Sequence, residues 1–102
     1  MTLQKDPRFD DVRVVDSTGN VFVDLGFDPA EAHVMALRVE LMIKLRERLQ
    51  DEGLTQSEAA RRLGVSQPRI SSLLKGAWRE FSMDMLLTLA TRAGLHPRLQ
   101  IT

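Results

Sequence analysis

The sequence predicts a mainly α fold: a helix-turn-helix bundle with a short N-terminal hairpin or extended segment and a short C-terminal strand. Three observations predict it. Residues 54–76 encode two short helices with a Gly between them, and each helix boundary carries its own signal. Upstream, Asp28-Pro29-Ala30-Glu31 opens a run of about 22 residues with apolar positions at helical spacing. The chain has 102 residues and no Cys, enough for one core without a disulfide framework.

Taken in order, residues 1–11 are polar and without period, which predicts a tail. Residues 12–15 and 21–25 are β-branched runs around Asp16-Ser17-Thr18-Gly19-Asn20, a pattern that predicts a hairpin. An isolated hairpin is marginal, so it must lean on something. Asp28 caps the long helix, Pro29 fits its first position, and Gly53 lies past its end near Asp51. Its apolar residues make two stripes. Val34, Leu37, Leu41, Leu45 and Leu49 form one; Met35, Val39, Met42 and Ile43 form the other. One stripe suffices to join a core. The second requires cover from the N-terminal segment, a second subunit or another protein.

In the central motif, Thr55 and Glu58 have the spacing of a capping box. Ala59, Ala60 and Leu63 face inward, and Gly64 can take the left-handed conformation that ends a helix. Val65 plugs the turn and Ser66 caps the second helix, whose first turn tolerates Pro68. Ile70, Leu73 and Leu74 face the core, and Gly76 ends the helix. The outward positions are Gln67, Arg69, Ser71, Ser72 and Lys75, with no carboxylate among them. A solvated face mixes signs; this one suits an anionic groove lined with donors and acceptors.

Trp78 and Phe81 lie in the next connection and are expected to plug the core. Ser82 caps a helix from Met83 to about Ala93, burying Leu86, Leu87, Leu89 and Ala90, and Gly94 ends it. Residues 95–102 alternate, with Leu99 and Ile101 on one face, and Pro97 restricts this strand to an edge or a start. Its partner is either the hairpin or its own copy in a second subunit. The chain thus divides into an acidic N-terminal segment (1–27), a helix-turn-helix domain (28–94, motif 55–76) and a C-terminal strand (95–102), a candidate dimer contact.

Net charge is zero, yet its distribution is uneven. Residues 1–32 hold three cations and seven carboxylates, a net of −4, whereas residues 53–81 hold five cations and two carboxylates, a net of +3. The two regions therefore suit different partners. His33 and His96 are far apart in sequence, and no metal cluster, nucleophile–base pair or phosphate-cradling Gly loop is present. Neither an enzyme nor a cofactor is expected. No signal peptide and no membrane-length apolar run is visible, which predicts a cytoplasmic protein.

The string Gly53-Leu54-Thr55-Gln56-x-Glu58-x-Ala60-x-x-Leu63-Gly64-Val65-Ser66-Gln67-x-x-Ile70-Ser71 resembles the Xre/Cro, phage-repressor-like helix-turn-helix family. A wider frame resembles its HigA-like antitoxin branch. That frame comprises Gly19-Asn20-Val21-Phe22-x-Asp24-Leu25-Gly26, Leu73-Leu74-Lys75-Gly76 and Phe81-Ser82-Met83-Asp84-x-Leu86. The resemblance implies a five-helix domain, often dimeric, that binds a palindromic operator in double-stranded DNA. HigA-like proteins usually repress their own operon and neutralise a small RelE/HigB-like ribonuclease toxin. Many Xre domains have Glu two residues before the Gly that ends the recognition helix; here Leu74 stands there.

In such a fold the recognition helix enters the major groove by its N-terminal residues. The resemblance assigns Gln67 to a base-reading position, where its amide can pair with adenine. Ser66, Pro68, Arg69, Ser71 and Ser72 share that surface, with Arg69 suited to guanine or phosphate. Gln56 matches a phosphate-contacting position at a helix N-terminus. Lys75, Arg79 and Ser82 are further backbone contacts; Arg61 and Arg62 are phosphate candidates that serve equally as solvated charges. The acidic segment is expected to cover a basic toxin through complementary charge, or else only to aid solubility. A stand-alone Xre regulator is the alternative. A protein-interaction module that has lost DNA binding is disfavoured by Gln67 and Arg69, which are expected to be unpaired.

Overall fold

A computed structural model describes residues 11–14 and 20–101 of the chain. Strand β1 (Asp11–Val14) is followed by helices α1 (Val21–Asp24), α2 (Pro29–Asp51), α3 (Gln56–Leu63) and α4 (Gln67–Leu74). A 3-10 turn (Trp78–Glu80), α5 (Met83–Arg92) and strand β2 (His96–Leu99) complete the order. The mainly helical class and the short C-terminal strand agree with expectation.

Helix α2 is the spine. The Asp28 carboxylate accepts from the N–H groups of Ala30 and Glu31, at 3.0 and 3.2 Å, with Pro29 where no helical bond is lost. Leu37, Leu41, Leu45 and Leu49 enter the core. They pack with Leu63 of α3, Ile70 and Leu73 of α4, Phe81, and Leu86 and Leu89 of α5. The two-stripe expectation needs adjustment at both edges. Met42 of the second stripe is 2% exposed, whereas Val34 of the first is 44% exposed.

The N-terminal hairpin is not what forms. Residues 21–24, expected as its second strand, are helical. Asn20 Oδ1 accepts from Phe22 N–H at 2.9 Å, and Asn20 Nδ2 donates to Ala32 O at 2.9 Å, tying α1 to the first turns of α2. Phe22 meets Trp78 edge-to-face with centroids 5.3 Å apart. Capping and aromatic packing outweigh the weak β preference of Val21 and Val23. Helix α1 thereby covers part of the second stripe of α2, leaving Ile43 44% exposed.

The first run does form a strand, but β1 pairs in parallel with β2, in the register Asp11↔His96 to Val14↔Leu99. The C-terminal strand thus has a partner within its own chain. Of the expected tail at 1–11 only Asp11 is described, and it begins β1; of the expected turn at 16–20 only Asn20 is, and it caps α1; the rest lie outside the described residues.

Candidate nucleic-acid interface

The helix-turn-helix is built by local hydrogen bonds. Thr55 Oγ1 accepts from Glu58 N–H at 3.1 Å, and Glu58 Oε1 accepts from Thr55 N–H at 2.9 Å, completing the capping box. The two Thr55 bonds, backbone first, hold the Glu58 carboxyl below its usual range, and Arg61 assists. Gly64 ends α3 at φ +72°, and Val65 N–H donates to Ala60 O at 3.0 Å. Ser66 Oγ then accepts from Arg69 N–H at 3.2 Å, starting α4. Ile70 and Leu73 are fully buried and set which side of α4 faces out.

On that outer side Gln67, Pro68 and Lys75 are exposed, and Ser71 and Ser72 are half-buried. Gln56 is exposed at the start of α3 and borders the same shallow groove as Ile70 and Leu74. Leu74 packs against the core there, beside Leu49 and Leu54. An apolar side chain suits this position, where a Glu would need a partner.

Arg69 departs from the expectation that it has no partner. Its Nη1 donates to Glu80 O at 3.1 Å, and its guanidinium lies 5.3 Å from the centroid of the Phe81 ring. One hydrogen bond leaves the other N–H groups of the fork available. The bond joins α4 to the 3-10 turn and brings Arg69, Arg79 and Ser82 into one region. Arg79 is exposed and rests over Trp78 at 5.2 Å. Ser82 Oγ is occupied as the cap of α5, accepting from Met85 N–H at 3.1 Å.

The phosphate candidates Arg61 and Arg62 separate. Both are exposed, but Arg62 is bound to the Glu52 carboxylate, and its Nη2 donates to Ala93 O at 3.2 Å. Sequence reasoning passed over Arg38, whose guanidinium reaches the carbonyls of Trp78, Arg79 and Phe81. Its only signal is a cation placed one helical turn from both Val34 and Met42, on an otherwise apolar face of α2. Trp78 is half-buried and Phe81 wholly buried, both in the packing role expected of them.

Among the described residues no group of three His, Cys, Asp or Glu side chains could hold a metal ion. No helix among them is long and apolar enough to cross a membrane.

Two capped helices joined at a left-handed glycine, the second with a carboxylate-free outer face, define a helix-turn-helix protein. The chain belongs to the helix-turn-helix domain family, whose model matches residues 21–102. Comparisons with curated proteins and with solved structures return no match. Helix-turn-helix DNA-binding domains are typically non-enzymatic, and membership points to a DNA-binding regulator.

Proposed function

We propose that this protein is a sequence-specific transcriptional regulator that binds a palindromic operator as a homodimer. The observation that carries the reading is the outer face of α4, where Gln67, Ser71, Ser72 and Lys75 stand without a carboxylate. Gln67, in the exposed first turn, reads a base edge in the major groove. Lys75, Arg79 and the N–H groups at the start of α3 beside Gln56 hold phosphates. One domain offers few contacts, so specificity comes from two copies with their recognition helices about 34–36 Å apart.

Selection from a randomised duplex pool tests this reading. An enriched inverted repeat with half-sites about one turn apart is the expected result; no enrichment at low salt refutes it.

Within that reading, the protein acts as a HigA-like antitoxin that represses its own operon and neutralises a RelE/HigB-like ribonuclease. Support comes from the wider resemblance, which covers about Gly19 to Ile101. Co-expression with any small basic protein encoded beside the gene tests it. Co-purification at equal amount with loss of ribonuclease activity is expected. A neighbour that neither binds nor is inhibited favours a stand-alone regulator.

A further inference from the structure

The 3-10 turn between α4 and α5 carries cations toward the proposed interface. Its own bonds run from Glu80 N–H to Ala77 O at 3.0 Å and from Phe81 N–H to Trp78 O at 3.1 Å, and the buried Phe81 ring anchors its end. Gly76, at φ +80°, precedes it. Beyond the Phe81 bond to Trp78 O, the carbonyls of Arg79 and Phe81 stand at the end of the turn, where helical partners run out. Arg38 supplies them. Nε donates to Phe81 O at 3.0 Å; Nη2 donates to Phe81 O at 2.7 Å, to Trp78 O at 3.1 Å and to Arg79 O at 3.4 Å. The same guanidinium lies 5.1 Å from the Trp78 ring centroid. A planar fork can serve several carbonyls at once, as a point-like ammonium cannot.

What Arg38 holds is what Arg69 rests on. The Glu80 carbonyl accepts from Arg69, and the Phe81 ring lies beneath the Arg69 guanidinium. Moving the turn moves the support of Arg69 and carries Arg79 with it. Arg38 is half-buried, with Nε and Nη2 engaged on carbonyls and the guanidinium set against an indole.

We propose that Arg38 is a positioning residue for DNA binding: from α2 it sets the 78–81 turn and thereby aims Arg69 and Arg79 at the nucleic acid. The proposal rests on the DNA-binding reading above.

The test uses the duplex enriched by the wild-type protein and a scrambled duplex of equal composition. Arg38→Gln should weaken binding to the enriched duplex about tenfold and lower the slope of log affinity against log salt by about one. A purely structural role would leave that slope unchanged. Arg38→Lys, which keeps charge and stem, should fall between, and it carries the comparison if Arg38→Gln is unfolded at the assay temperature. In double variants, losses from Arg38→Gln and Arg69→Ala should be less than multiplicative, whereas those from Arg38→Gln and Gln67→Ala should multiply. In the free protein, NMR relaxation at Arg69 Nε should report greater mobility in Arg38→Gln. Wild-type affinity and slope in Arg38→Gln, or multiplicative losses with Arg69→Ala, overturn the proposal alone. A wild-type protein that enriches no duplex overturns the DNA-binding reading and this proposal together.

Discussion

Arg62 and Arg92 cap each other's helices. Arg62, near the end of α3, donates to the carbonyl of Ala93, where α5 ends, at 3.2 Å. Arg92, the last residue of α5, donates to the carbonyl of Leu63, where α3 ends, at 2.8 Å. Each cation stands where a helix terminus concentrates negative partial charge. Arg48 joins from α2, its Nε donating to Ala93 O at 3.1 Å. Part of the positive charge counted around the motif, that of Arg62, is therefore engaged within the fold.

Arg92→Ala should consequently lower stability by about 1–2 kcal/mol, since Leu63 O loses a charged donor beside the Gly64 turn. Arg62→Ala should cost less, because Arg48 still serves Ala93 O. Urea denaturation of the two variants checks the order; equal losses would count against the shared cap.

Gln67→Ala should cost about 1–3 kcal/mol on the enriched duplex and relax preference at one base pair. Lys75→Ala should weaken all sequences alike and reduce the salt slope by about one. Binding titrations on enriched and scrambled duplexes separate the two effects. Equal losses on both duplexes for Gln67→Ala would remove it from base reading.

The capping box predicts a pH dependence. Glu58 has its carboxyl pKa lowered in the fold by its bonds with Thr55. A depressed folded pKa contributes stability above the unfolded value, which is lost as pH falls through the folded one. The contribution should thus fade only on the acid side of the usual carboxylate range. An NMR titration of the Glu58 carboxyl should give a midpoint below the ordinary glutamate value, and Thr55→Val, which removes the hydroxyl and keeps the backbone donor, should return it only part of the way. A midpoint unchanged by Thr55→Val would remove the hydroxyl's share and leave the backbone bond as the cause.

Asn20→Ala should cost about 1 kcal/mol by removing the α1 cap, and more through the lost link to Ala32 O. The amide protons of α1 should then exchange faster while those of α4 stay protected. Unchanged exchange in α1 would show that Phe22 packing alone holds it. Because α1 packs on α2 and Trp78, a deletion of residues 1–27 would disturb the domain as well as remove acidic charge.

The parts of this protein legible in its sequence are those whose cause is local. Thr55 with Glu58, Ser66 with the N–H of Arg69, and Ser82 with that of Met85 each act across three residues. The left-handed turn needs only Gly64 itself. Boundaries of α2, α3, α4 and α5 and the outward exposure of Gln67 and Lys75 could be read from such signals and from helical spacing.

Reading the N-terminus failed for the opposite reason. Val21 and Val23 favour a strand by weak local preference, but Asn20 reaches Ala32 and Phe22 reaches Trp78, contacts that spacing does not encode. The strand at Asp11–Val14 was visible, yet its partner lay at the far end of the chain.

By itself the sequence determined the helix-turn-helix, its caps, and the carboxylate-free face of its second helix, because short-range hydrogen bonds and periodic apolar residues specify them. Only the tertiary structure decided which backbone carbonyls the arginines serve. Arg38 and Phe81 are 43 residues apart, and Arg62 and Ala93 are 31 apart. A guanidinium's partner at such separation is chosen by how the helices pack, and the identity of the residue carries no record of it.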